Sequence, residues 1–433
     1  MTPPGHFMIL AEVLPGHVQA LRELLAQMNS GPGRADPANR LLPFGRFEAL
    51  HFARFAILVD MTHGDLAAHG ETMPASLPTY LSFFGDCDGA GDAQLDEFVR
   101  VAQGGLLEVF AHCAGCPAGP DLAAWLRARN LPVAAAYANW TGRTARRIRE
   151  ERALAEALSR QAIGMGTTAP GKLQAVRAQL VDYVAAERRQ GRLLVTPDLP
   201  TPIAWWWRNL AHVVAIPILG LLALPFLLLY SPLFIWQLRQ RERADPEIVP
   251  APDLAHVAEL ATFEDRGITN AFTALGSVKP GRFRRYLVIV LVALLDYAAR
   301  HIYGRGHLTR VQTIHFARWV FIDDKQRLLF ASNYDGILES YMDDFINKVA
   351  WGLNLVFSNG VGYPRTDWLV KGGARNSQAF KNYLRRHQVP NSVWYKASPG
   401  LTAMDLARHG RIREGLDRRA MSDREIEDWL RLL

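Results

Sequence analysis

The chain has 433 residues, 49% of them hydrophobic, which exceeds one ordinary domain and supplies a sizeable core. Its formal charge of +7 is carried by arginines spread over segments such as "RTARRIREER" and "RHGRIREGLDRR". No strand shows the basic-aromatic signature of an RNA-binding sheet, so nucleic acid is not expected as a partner.

The first 142 residues read as strand, helix, strand, strand, helix, strand. "FMILAEV" (7–13) is apolar and extended, and Val18, Leu21, Leu24, Leu25 and Met28 recur three or four apart as on one helix face. "LHFARF" (50–55) and "TYLSFF" (79–84) are the next strands. "GDCDG" (85–89) turns the chain into a helix over about 95–110, and "VAAAY" (133–137) follows the break at Pro132. Cys87 and Cys113 flank that helix, too far apart to share a zinc ion, and "HCAGC" (112–116) reverses the order used for haem attachment. The cysteines read as ordinary thiols.

Residues 143–202 read as a helical linker with charged outer faces, closed by the prolines of "VTPDLPTP" (195–202). From Asn209 to Leu238 no Asp, Glu, Lys or Arg occurs. Trp205, Trp206 and Trp207 precede this run, Trp236 lies near its end, and arginines flank both sides, as expected of a segment in contact with a bilayer. Two crossings as helix need about forty residues. With Pro217, Gly220, Pro225 and Pro232 as bends, residues 203–240 therefore predict a re-entrant hairpin that returns to the cytoplasmic face. "MTPPGHFMIL" has neither a basic start nor a long apolar core, so no signal peptide is expected.

After a connector (241–268), residues 269–400 repeat the first unit. "HFMILAEVLPG" answers to "AFTALGSVKPG" (271–281), "LHFARF" to "IHFARW" (314–319), "GDCDG" to "SNYDG" (332–336) and "LRARNLPVAAAY" to "LRRHQVPNSVWY" (384–395), in the same order. The pattern predicts an α+β fold of two tandem ferredoxin-like (βαββαβ) repeats packed sheet on sheet, since each sheet needs a cover for its second face. The first helix of the second copy, "RFRRYLVIVLVALLDYAARHIY" (282–303), is apolar throughout its middle and is expected to be covered all round. An insertion gives "SNGVGYPRTDWLVKGGARNS" (358–377), a candidate lid, and residues 401–433 form a helical tail.

The duplicated unit resembles the dimeric α+β barrel superfamily, whose members with both units in one chain include the dye-decolorising peroxidases and the chlorite dismutases. "GDCDG" fits the G-x-x-D-G of the former, and the second copy keeps Asp335 and Gly336 of it. The resemblance implies haem as cofactor, Asp88 on its distal side, and peroxidase or oxygenase chemistry. Within the second copy His315 is the candidate haem ligand or base, Arg318 the charge partner and Asp335 the proton acceptor, with Tyr334 and Asn333 shaping the pocket. The substrate expected is lipophilic and drawn from the bilayer. Three other roles stay open: "HFAR" and "DG" repeat because folding needs them, the protein binds or presents a lipid without catalysis, or it oxidises without a cofactor in the manner of small barrel monooxygenases. Strand alternation adds one constraint, that His and Arg three residues apart cannot share a face, so only one of them enters the space between the sheets.

Overall fold

A computed structural model describes residues 1–71, 77–165, 173–248, 250–303, 306, 308 and 310–433. The N-terminal half runs β1 (Pro4–Glu12), α1 (Val18–Ala26), β2 (Asn29–Gly31), β3 (Gly33–Ala35), β4 (Leu50–Leu58), β5 (Tyr80–Asp88), α2 (Gly91–Phe110), α3 (Leu122–Ala128) and β6 (Ala135–Ala138). Helices α4 (Ala145–Gly164), α5 (Leu173–Arg189), α6 (Ile203–Ala244) and α7 (Leu254–Phe263) follow. The C-terminal half runs β7 (Thr269–Ser277), α8 (Arg282–His301), β8 (Ile314–Ile322), β9 (Arg327–Asp335), α9 (Leu338–Phe357), β10 (Thr366–Asp367), β11 (Lys371–Gly372), α10 (Ser377–His387), β12 (Val393–Lys396), α11 (Ala403–Asp417) and α12 (Asp423–Leu430).

The fold is α+β with a mixed sheet. The larger sheet has the order β1-β5-β4-β12-β3-β2, with β12 parallel to β3, and the other β6-β8-β9-β7. The halves share irregularities. Helices α2 and α9 each have 20 residues and each leaves helical geometry once, at Ala102 and at Val349. Alternation sends Phe7, Ile9, Phe55 and Phe83 towards α1, α2 and α3, while Met8, Ala56 and Phe84 point to the other sheet and meet Leu275, Val320 and Leu329.

"VAAAY" is expected as the last strand of its own unit, but the last strand of each half changes sheets. β6 pairs with β8, and β12 with β4. Each segment first runs along its own half: Leu131 N donates to Met8 O before Ala134 N donates to Trp319 O, and Val389 N donates to Thr273 O before β12 begins. One segment thereby satisfies backbone groups at the edges of both sheets, which a strand confined to one sheet leaves open. The segments 1–142 and 269–400 are consequently interlocked.

Linker and tail are also one structure. Leu154, Leu158, Leu180 and Val184 pack with Ile412 and Trp429, so α4, α5, α11 and α12 share a core. α4 and α11 begin alike, each after a glycine at positive φ (Gly142, 88°; Gly400, 83°) and a capping threonine (Thr144, Thr402).

The predicted hairpin is corrected: α6 is one continuous helix of 42 residues, about 63 Å long. Each internal proline removes one hydrogen bond and bends the helix, but Gly220 stands alone among residues of good helix propensity, and no cluster of turn formers opens a loop. The insertion after α9 is likewise not a lid over the sheets. Its β10-β11 hairpin is held by Asn354 and grips the end of α6, whose buried Glu242 accepts from Thr366 Oγ1 and from the amides of Trp368 and Leu369.

Candidate functional site

The repeated histidines sit in β-bulges. Leu50 faces Cys87 and Phe52 faces Asp86, so His51 is an extra residue on its strand; His315 is extra in the same way between Ile314, opposite Tyr334, and Phe316, opposite Asn333. His51 Nε2 lies 2.9 Å from Asp88 Oδ1, and Asp88 Oδ2 accepts from Ala145 N at 2.9 Å. His315 Nε2 lies 2.7 Å from Asp335 Oδ1, and Asp335 Oδ2 accepts from Ala403 N at 2.7 Å. Both aspartates thus use one oxygen to hold a histidine and the other to hold the first amide of the following helix, α4 or α11. A carboxylate there also meets the positive end of the helix dipole. The two His-Asp pairs fasten helices to sheet ends.

Arg318 and Asn333 belong to a second group, between the sheets. Arg54 reaches across to Phe272 O, Thr273 Oγ1, Ser332 O and Asn333 Oδ1. Arg318 reaches the opposite way, to Phe7 O at 2.9 Å and to Asp86. Asp86 also meets His6 Nδ1 at 2.9 Å and accepts from Asn333 Nδ2 at 3.3 Å. Both guanidinium carbons lie over the Phe84 ring, 5.1 and 5.2 Å from its centroid. Burial disfavours the Asp86 carboxylate, but Arg318, His6 and Arg54 outweigh it and hold the group at about 2. Burial and the neighbouring Arg318 draw Arg54 down to about 9.

Thus the structure brings His315 to Asp335, and Arg318 to Asn333, as two separate groups. Tyr334 turns towards the helices, stacked on Tyr341 at 4.0 Å, and burial pushes its phenol well above the usual range. Asp86 and His6 are not among the residues the repeated motifs single out. The signal was available in "GDCDG": Asp86 is two residues from Phe84 on an inward-facing row, whereas Asp88 ends the strand.

These residues do not fit a haem. His315 Nε2 is held by Asp335, its ring packs edge-on against Phe52 at 5.6 Å, and Phe52 meets Phe316 at 5.8 Å. The inter-sheet space is occupied by Met8, Ala56, Leu58, Val320, Leu329 and their neighbours. Asp88, expected beside the cofactor, caps α4 instead. Among the described residues no three His, Cys, Asp or Glu side chains gather as a metal site. Burial pushes the thiols of Cys87 and Cys113 up to about 12, which makes them poor nucleophiles.

The other unusual feature is α6. It is long and apolar enough to cross a membrane, with a mean hydropathy of 2.5 over its most apolar stretch and none of that stretch buried. Leu221, Leu222, Leu228 and Leu229 are each 65–70% exposed. Yet α6 is tied to the body at both ends and runs antiparallel to α8. Near its start His212 Nδ1 lies 2.8 Å from His301 Nε2, and Val213 O accepts from Tyr297 Oη. Towards its end Phe234 packs on Phe283 at 5.4 Å and Leu238 on Leu287. Asp245, just beyond, binds Lys279 Nζ at 2.7 Å and Arg284 Nη2 at 2.6 Å. Comparison of the chain with protein-family models, with curated proteins and with solved structures returns no match.

Proposed function

We propose that this protein is monotopic: a duplicated ferredoxin-like unit, closed into a single α+β barrel, lays α6 and the adjoining face of α8 into one leaflet of a bilayer and binds lipid there. The observation that carries this reading is the course of α6, fully apolar and exposed along its middle while both its ends are fastened to α8 and the loop before it, which belong to the interlocked body. A single crossing would leave the segments before and after α6 on opposite sides of the membrane, yet β6 pairs with β8 and β12 with β4. The helix therefore lies along the membrane plane. Each large apolar side chain buried there contributes roughly 1.5–3 kcal/mol, so a few leucines suffice for firm attachment. Arg208 at one end and Arg239, Arg241 and Arg243 at the other favour an anionic, cytoplasmic leaflet, with Trp206, Trp207 and Trp236 at headgroup depth.

The engagement of His315, Asp335, Arg318 and Asn333 in structural bonds supports lipid binding over haem-dependent oxidation of a lipophilic substrate. Liposome flotation tests the reading. The wild-type chain is expected to float with vesicles, and Leu222→Asp with Leu229→Asp, at exposed positions that leave the fold intact, is expected to stay at the bottom of the gradient. Equal flotation of both proteins would refute it.

A further inference from the structure

Helix α8 faces α6 with one stripe of residues. Phe283, Leu287, Val290, Leu294, Tyr297 and His301 follow one another at steps of four and three, so they share a helix face. The two ends of that stripe touch α6: Phe283 meets Phe234, Leu287 packs with Leu238, Tyr297 bonds Val213 O and His301 meets His212. The centre does not. Val290 is 55% exposed and Leu294 52%, although both lie between residues in contact with α6.

The opposing surface of α6 agrees. On its side nearest α8, between His212 and Phe234, Leu227 is 59% exposed and a Cβ placed on Gly220 would meet nothing within 4 Å. Contacts at both ends, with exposed apolar residues on the facing sides between them, are the pattern of an α6 that arches over α8. The stretch from His212 to Phe234 covers about 33 Å of helix, against about 27 Å for Phe283 to His301. Pro217, Pro225 and Pro232 supply the curvature. Protein alone does not cover α8 along this stretch, which leaves lipid as the cover expected there.

We propose that the gap under the arch is a binding slot for one fatty-acyl chain of an anionic phospholipid, an assignment that rests on the membrane-docked reading of α6. Gly220, Ala223 and Leu227 form its roof, and Val290 and Leu294 its floor. All of these are apolar, so water gains no hydrogen bonds there. The headgroup lies at the end where α6 finishes and α8 begins. Arg243 and Arg282 are exposed there, Arg285 is half-buried, and none of the three has a carboxylate partner among the described residues. Arg241, stacked over Phe283 at 5.2 Å, extends that basic cluster alongside the Phe283–Phe234 contact, past which the acyl chain runs into the slot from the side. A phosphate there is recognised by charge and by guanidinium hydrogen bonds, and the chain by the slot.

The test fills the slot without touching the outer face of α6. Wild-type protein and the double variant Gly220→Leu, Leu294→Trp are reconstituted with vesicles of phosphatidylcholine and phosphatidylglycerol, extracted into mild detergent and weighed by native mass spectrometry. The wild type is expected to retain one phosphatidylglycerol per chain, and the filled variant at least tenfold less. Arg282→Glu with Arg285→Glu is expected to abolish the preference for phosphatidylglycerol over phosphatidylcholine while flotation persists. Equal lipid retention by wild-type and filled protein overturns the slot, as does a wild type that floats but retains no lipid. Failure to float by wild type and variants alike overturns the docking reading instead, and is read separately from retention.

Discussion

Asp86 bonds Arg318 and lies within electrostatic reach of Arg54, the second arginine buried between the sheets, and removing its charge tests the account of that network most directly. In Asp86→Asn the side chain keeps its shape, but Arg54 and Arg318 are left with neutral acceptors and the partial attraction of Phe84. The depression of Asp86 from 3.8 to about 2 corresponds to roughly 2.5 kcal/mol at neutral pH. Breaking a buried ion pair on one side costs about 3–5 kcal/mol, because the abandoned charge stays desolvated. A loss of about 3 kcal/mol is therefore expected, measured as the urea midpoint at constant m-value in detergent. The sign of the pH dependence follows: the folded state holds the carboxylate ionised, so the stabilisation is complete above pH 3.8 and disappears as pH falls towards 2, and the variant lacks this slope. Asn333 occupies the equivalent place in the C-terminal half and touches Arg54. Moving the charge by Asp86→Asn with Asn333→Asp should restore most of the stability. A loss under 1 kcal/mol in the single variant, or no recovery in the double, would refute the claim that one carboxylate, bonded to Arg318 and near Arg54, stabilises the buried pair.

Three further outcomes are expected. His51→Ala and His315→Ala should each lower stability by about 1–3 kcal/mol, with faster hydrogen exchange at the starts of α4 and α11 respectively; a selective effect of His315 on a measurable activity, without loss of stability, would instead mark it as functional. Burial draws Lys279 from 10.5 to about 8 against the pull of Asp245, so the unfolded chain holds that proton more tightly and stability should rise as pH climbs from 8 towards 10.5. Lys279→Met, which leaves Arg284 on Asp245, should remove that slope and be neutral or stabilising at pH 7 by thermal melting. Gly85→Ala should cost at least about 2 kcal/mol in a melting assay, since the added Cβ would lie 2.2 Å from Phe52 O and 2.6 Å from the Phe7 ring.

What the sequence by itself determined is what local period and composition encode. Strand alternation separated Arg54 and Arg318 from the neighbouring histidines, and the arginines do enter the space between the sheets. The apolar run from Asn209 marked a segment suited to contact with a bilayer, though not its form as one continuous helix. The recurring motifs were legible because both segments must meet the same local demands, such as the glycines at positive φ that follow Asp88 and Asp335. The tertiary structure alone decided the rest. The bulges at His51 and His315 are registers between strands, and the exchange of β6 and β12 depends on which edge offers free backbone groups. The salt bridge of Arg318 with Asp86 joins residues 232 apart, and no periodic pattern carries a choice of partner over that separation. The course of α6 is decided in the same way. Its prolines permit either a turn or a curve, and the anchors at His301, Glu242 and Asp245 select the curve because they hold both ends of the helix against one body.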